Sequence, residues 1–147
     1  MKTLVVVRCF DLDFGTKSLT SHGNSEMQML VDRLLPLFSG KKVHILSSVI
    51  QGAKDCAQIL AKAFDVTVET HDLLGSNHSL AVKLPAALQF VKSKCLEADV
   101  LILVTHLEFC KEFPSYYSSE VLEVAIPPVD MEKGEAVIID CNDKNYQ

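Results

Sequence analysis

Arg8-Cys9, Ser47-Ser48 and His106 are the residues of this chain whose chemistry suits an oxyanion. A guanidinium is permanently charged and presents a planar fork of donors matched to phosphate or carboxylate oxygens. Hydroxyls donate without adding charge, and an imidazole switches between neutral and cationic forms. A thiol between an arginine and a protonated histidine is expected to ionise more easily and to become a candidate nucleophile. Each residue also has a plainer reading, since an arginine can simply end a strand and a cysteine is commonly a small, inert core residue. Position separates the two readings, because all of these residues follow directly on short apolar runs.

Leu4-Val5-Val6-Val7 and Val100-Leu101-Ile102-Leu103-Val104 are continuous apolar segments without polar alternation, the pattern of a parallel strand buried on both faces. Val43-His44-Ile45-Leu46 is a shorter example. In open α/β sheets ligands bind in the crevice beyond the carboxyl ends of the strands, so a common edge for Arg8-Cys9, Ser47-Ser48 and His106 predicts an anion pocket.

Between the strands lie helical patterns. Thr20 is placed to cap a helix carrying Met27, Leu30, Val31, Leu34, Leu35 and Phe38, ended by Ser39-Gly40. A second runs from Gln51 to Phe64 with Ala53, Cys56, Ala57 and Leu60 inward. Pro85 suits the first turn of a third, through Cys95, with Leu88 and Val91 inward. Leu107 to Tyr117 predicts a fourth, interrupted near Pro114. Val66 to Glu69 reads as an edge strand, 71–79 as a long loop, and Glu135 to Asp140 as a last strand before a frayed tail at 142–147. This alternation predicts one α/β domain spanning residues 1–147, a three-layer sandwich with a mostly parallel sheet.

Composition narrows the function. The 147 residues carry a net charge of −5, and the lysines are scattered, which argues against nucleic acid or an anionic membrane as partner. No signal-peptide core or membrane-spanning run is present, so a cytoplasmic location is expected. Five cysteines (Cys9, Cys56, Cys95, Cys110, Cys141) without a C-x-x-C pair signal neither a disulfide framework nor structural zinc. His106 and Cys110 stand four apart but lack further ligands at metal spacing. No metal or cofactor is expected.

The order of these pieces resembles the histidine phosphatase (phosphoglycerate mutase-like) superfamily, and within it the short phosphohistidine phosphatases. Such proteins have an apolar strand ending in Arg-His-Gly, then Leu-Thr-x-x-Gly opening a helix, then Ser-Ser-Pro-x-x-Arg-Ala, and later a strand ending in Ser/Thr-His. The corresponding places hold Arg8-Cys9-Phe10, Leu19-Thr20-Ser21-His22-Gly23, Ser47-Ser48-Val49-Ile50-Gln51-Gly52-Ala53 and Thr105-His106. The likeness covers Leu4 to about Asp140.

The departures bear on activity. The resemblance implies a histidine nucleophile at the place of Cys9 and a second arginine at that of Gly52, or of Gln51 if the match shifts by one. An acidic proton donor, absent from many short members, would fall near Gly75. Phosphoryl transfer depends on positioning and charge stabilisation, and one lost donor of this kind commonly costs about two to three orders of magnitude in rate. The cysteine phosphatase solution, an arginine six positions after the cysteine, is also missing, because that place holds Gly15. The expectation is a degenerate member, with Cys9 and His106 at the catalytic places and Arg8, Ser47, Ser48 and His106 as anion ligands. It would bind phosphorylated small molecules or phosphopeptides rather than hydrolyse them. The alternatives are a phosphatase of altered mechanism using Cys9 or another histidine, and a purely structural interaction protein whose pocket is filled by side chains. Asp11 and Asp13 must pair with Arg8 or turn away from an anion, and Phe10 narrows the pocket. His22, His44, His71 and His78 read as surface, strand or loop residues, and Phe109, Phe113, Tyr116 and Tyr117 as core packing.

Overall fold

A computed structural model describes residues 3–9, 20–74, 80–94, 97–141 and 145–146, without the side chains of 80–83, 107–108 and 145–146. Phe10, Asp11, Asp13, Gly15, Gly75, His78 and Cys95 lie outside the described residues.

The two long apolar runs become β1 (Thr3–Arg8) and β4 (Val100–Thr105), with Leu4 to Val7 and Val100 to Val104 wholly shielded from solvent. They pair in parallel with Thr3 opposite Val100 and Arg8 opposite Thr105. β2 (Val43–Ser47) lies parallel on the other side of β4, and β3 (Val68–Thr70) lies parallel beside β2. β5 (Ala136–Asp140) runs antiparallel to β1, and β6 (Asn145–Tyr146) antiparallel to β5. The six-stranded order is β3-β2-β4-β1-β5-β6. β1 and β4 therefore take the centre, as their lack of polar alternation requires.

α1 (Ser21–Phe38) and α2 (Gln51–Phe64) cover one face of the sheet, against Val5, Val7, Ile45, Ile102 and Val104. α3 (Leu80–Lys94) and α4 (Leu107–Val121) cover the other, against Leu4, Val6, Leu46, Leu101 and Leu103. The alternation of side chains along β1 and β4 supplies both cores at once. The Thr20 hydroxyl accepts from Gly23 N at 3.0 Å, which fixes where α1 starts. α2 is lined by small buried residues, Ala53, Cys56, Ala57 and Ala61, and stops at Asp65, whose φ of 56° is left-handed. Phe109 and Phe113 stack at 4.7 Å within the second core.

Four expectations change. β3 starts at Val68, two residues later than the pattern suggests, because β2 pairs only with Val68 to Thr70. α3 begins at Leu80, so Pro85 sits inside it. Pro85 is the sixth helical residue, past the four N–H groups that lack an intrahelical partner, so the helix goes without the one bond its N–H would have made to the carbonyl four residues back. α4 runs unbroken to Val121 with Pro114 inside and buried, its packing outweighing the lost bond. The tail is not entirely frayed, because Asn145–Tyr146 supply a partner for the outer edge of β5.

Candidate functional site

The parallel register decides the site. Arg8 stands opposite Thr105, and Cys9 N extends the ladder by donating to Thr105 O at 2.9 Å, which sets Cys9 beside His106. Ser48 N donates to Val104 O at 3.1 Å on the other flank of β4. Three chain segments thus leave the sheet together at its carboxyl edge, and the His106 ring lies between the other two. His106 Nδ1 is 3.4 Å from Cys9 Sγ, and Nε2 is 2.9 Å from Ser48 Oγ. Ser48 Oγ also accepts from Ile50 N at 3.2 Å, which holds the hydroxyl in place at the entry to α2.

The protonation of this row follows from the burial of Cys9. The thiol is pushed up to about 11, because desolvation outweighs the opposing pull of Arg8, its own backbone N–H and Lys133. This reverses the expectation of an easily ionised thiol. At neutral pH the group is S–H, and when it donates to Nδ1 the proton of a neutral imidazole sits on Nε2, facing Ser48 Oγ. Cys110, one turn into α4, is buried as well and raised further, with Cys9 adding to the effect.

Arg8 is held from both sides by the segment leading into β5. Its N–H donates to Glu135 O at 3.1 Å and its carbonyl accepts from Gly134 N at 3.0 Å. The side chain turns to the same segment, with Nη1 donating to Met131 O at 2.6 Å. A guanidinium has five N–H donors, so this bond leaves the remainder of the fork to a ligand. Ser47 is different from its neighbour. Its hydroxyl donates to Ser48 O at 2.9 Å and its carbonyl accepts from His71 N at 2.9 Å, which makes it a buried brace behind Ser48. Thr105 likewise uses its hydroxyl on Leu74 O, pinning the turn at Asp72–Leu74 to the end of β4.

The place expected to hold a second arginine is Gly52, buried in the first turn of α2. Gln51 does not substitute, since it is exposed and its Nε2 donates to Asp55 Oδ1 at 2.7 Å. Met131 and Lys133 were not apparent from motifs. Their signal lay in topology: the strand antiparallel to β1 must begin where β1 ends, so residues just before β5 fall beside Arg8. Among the described residues no cluster of three His, Cys, Asp or Glu side chains is disposed to hold a metal ion. No helix among them is long and apolar enough to cross a membrane.

No family model matches the chain, and no curated protein matches it. Solved structures do. The tungstate complex of the protein histidine phosphatase SixA aligns with a TM-score of 0.71 at 12% identity, over 99% of this chain and 92% of that one. A mycobacterial glucosyl-3-phosphoglycerate phosphatase in complex with VO3 aligns at 0.68 and 13% identity, over 95% and 92%. Phosphoglycerate mutase from Plasmodium falciparum aligns at 0.65 and 18% identity, over 96% and 84%. The chain has the phosphoglycerate mutase-like fold of the histidine phosphatases.

Proposed function

We propose that this chain, built on the fold of the histidine phosphatases, binds a phosphoryl group at the carboxyl edge of β1, β2 and β4 and does not turn it over efficiently. The observation that carries this reading is the row Cys9, His106, Ser48 beside Arg8, with Sγ to Nδ1 at 3.4 Å and Nε2 to Ser48 Oγ at 2.9 Å. Polar side chains from three separate segments converge there, with the Arg8 guanidinium beside them to supply donors for an oxyanion. Two of the solved structures with the same fold carry tungstate and VO3, oxyanions that stand in for a phosphoryl group.

Weak turnover follows from the nucleophile. A thiol raised to about 11 is almost entirely protonated at neutral pH, and the thiolate is the reactive form. Gly52 adds no charge for the transferring group, and removing one such donor costs about two to three orders of magnitude. The experiment compares hydrolysis of an aryl phosphate with binding of inorganic phosphate, followed as a rise in Tm. The expected outcome is a phosphate-dependent Tm that Arg8→Ala removes, with turnover at least about 100-fold below that of the Cys9→His, Gly52→Arg double variant. Brisk wild-type turnover lost in both Cys9→Ser and His106→Ala would overturn it in favour of a cysteine mechanism. Absence of any phosphate-dependent shift would leave only a structural role for the row.

A further inference from the structure

The segment that grips Arg8 is a tight turn. Glu135 N donates to Glu132 O at 3.1 Å, closing four residues with Lys133 second and Gly134 third. Gly134 has φ of 76°, the left-handed value that the third position of a type II turn requires and that glycine adopts without strain. This turn is sewn to the end of β1 through the backbone bonds on both sides of Arg8 and through the guanidinium bond to Met131 O. The corner residue, Lys133, is exposed, and its ammonium acts on the Cys9 thiol in the same sense as Arg8.

We propose that Lys133 is a ligand-binding residue of the anion pocket, supplying beside Arg8 the second positive charge that Gly52 does not, so that the pocket takes a dianionic phosphate monoester in preference to a monoanionic diester. The inference rests on the phosphoryl-binding reading above. Among the described residues Arg8 and Lys133 bring two positive charges to this edge, and a phosphate monoester above its second pKa of about 6 carries two negative charges. An ammonium on a flexible stem at the corner of an exposed turn reaches a ligand as a point charge, without the bidentate geometry of a guanidinium.

The test uses the full chain, with phenyl phosphate as monoester and diphenyl phosphate as diester, titrated calorimetrically at pH 5 and pH 7.5. Wild type is expected to bind the monoester about tenfold more tightly at pH 7.5 than at pH 5, and to favour it over the diester at pH 7.5. Lys133→Gln should weaken monoester binding about tenfold at pH 7.5, flatten the pH dependence and leave diester binding little changed, while Lys133→Arg restores the wild-type pattern. Lys62→Gln, an exposed lysine on α2, controls for net charge. Equal monoester affinity in wild type and Lys133→Gln, with Arg8→Ala still defective, would overturn the role of Lys133 and leave the pocket standing. No binding by wild type would overturn both. Alkylation of Cys9 gives a readout without ligand: it should slow in Lys133→Gln, and an unchanged rate would count against a charge near the thiol.

Discussion

Two histidines in this chain use both ring nitrogens, and the regions around them work in opposite ways. His44, on β2, has Nε2 3.1 Å from Glu69 and Nδ1 3.6 Å from Glu97, while Lys94 lies 2.9 Å from the same Glu69. These groups are half-buried apart from the exposed Glu97, and the Glu69–Lys94 ion pair stays within reach of water and salt. His106 faces a thiol and a hydroxyl, and both of those partners are buried. The His44 set is a clasp joining β2, β3 and the end of α3, in which each carboxylate already has a cation. The His106 set presents donors at the carboxyl edge of the sheet, beside an arginine. Bond counts do not separate the two sets; burial and position along the strand do.

The sharpest probe of that contrast is the Cys9 thiol, because only the buried set should hold a proton against the solvent. With the thiol raised to about 11 from 9.0, the folded protein at pH 8 should hold about 100-fold less thiolate than the unfolded chain. Alkylation at Cys9, followed by peptide mass, should slow by at least that factor relative to the chain in urea and should accelerate as pH approaches 11. The same shift bears on stability. The folded state keeps a proton that the unfolded state loses near pH 9, so this contribution is complete below pH 9 and is lost as pH rises toward 11. A native rate equal to the unfolded one would erase the distinction and restore Cys9 as a nucleophile.

Removing each ring in turn gives the next largest difference. His106→Ala leaves the buried Ser48 Oγ and Cys9 Sγ without that partner, a loss of about 1–3 kcal/mol. His44→Ala leaves Glu69 still paired with Lys94 and should cost about 0.5 kcal/mol or less. Urea unfolding at unchanged m measures both. Phosphate-dependent stabilisation should vanish in the first variant and survive in the second. Equal costs would mean that burial is not what divides the two regions.

The same division explains what could be read from the sequence. β1 and β4 were legible because burial on both faces leaves an unbroken apolar run, and from their ends Arg8, Cys9 and His106 could be placed on one edge. Ser48 was legible for the same reason, whereas the bracing role of Ser47 was not, since adjacent serines look alike until the backbone fixes which hydroxyl turns inward. The extents of α3 and α4 were obscured by Pro85 and Pro114, which packing accommodates inside both helices. The neutrality of Cys9 was hidden too. Arg8 beside it in sequence is charged, and only the packed structure reveals that desolvation exceeds that pull. Met131 and Gly134 lie more than 120 residues from Arg8 in the chain and meet it beside an antiparallel pairing that no local motif announces, bringing Lys133 with them.

The smallest effect belongs to the charged clasp, and its signature is a pH and salt dependence that the row around His106 lacks. Glu69 is held below the usual carboxylate range, chiefly by its hydrogen bond to Lys94, against a smaller desolvation effect, with the hydrogen bond to His44 adding a still smaller pull. A carboxyl whose folded value lies below its unfolded one stabilises the protein above the unfolded value, near 4.5, and loses that contribution as pH falls through the folded value. Glu69→Gln should therefore lower Tm at pH 7 by about 2 °C or less, with wild type and variant converging in acid. In 1 M NaCl the gap at pH 7 should shrink as well, because the Debye length falls to about 3 Å. The cost of His106→Ala should not change under that salt, since its partners carry no net charge and no solvent separates them. A salt-sensitive His106→Ala would show that charge rather than burial sets its cost, and a salt-insensitive Glu69→Gln would show that the clasp is held by packing rather than by charge.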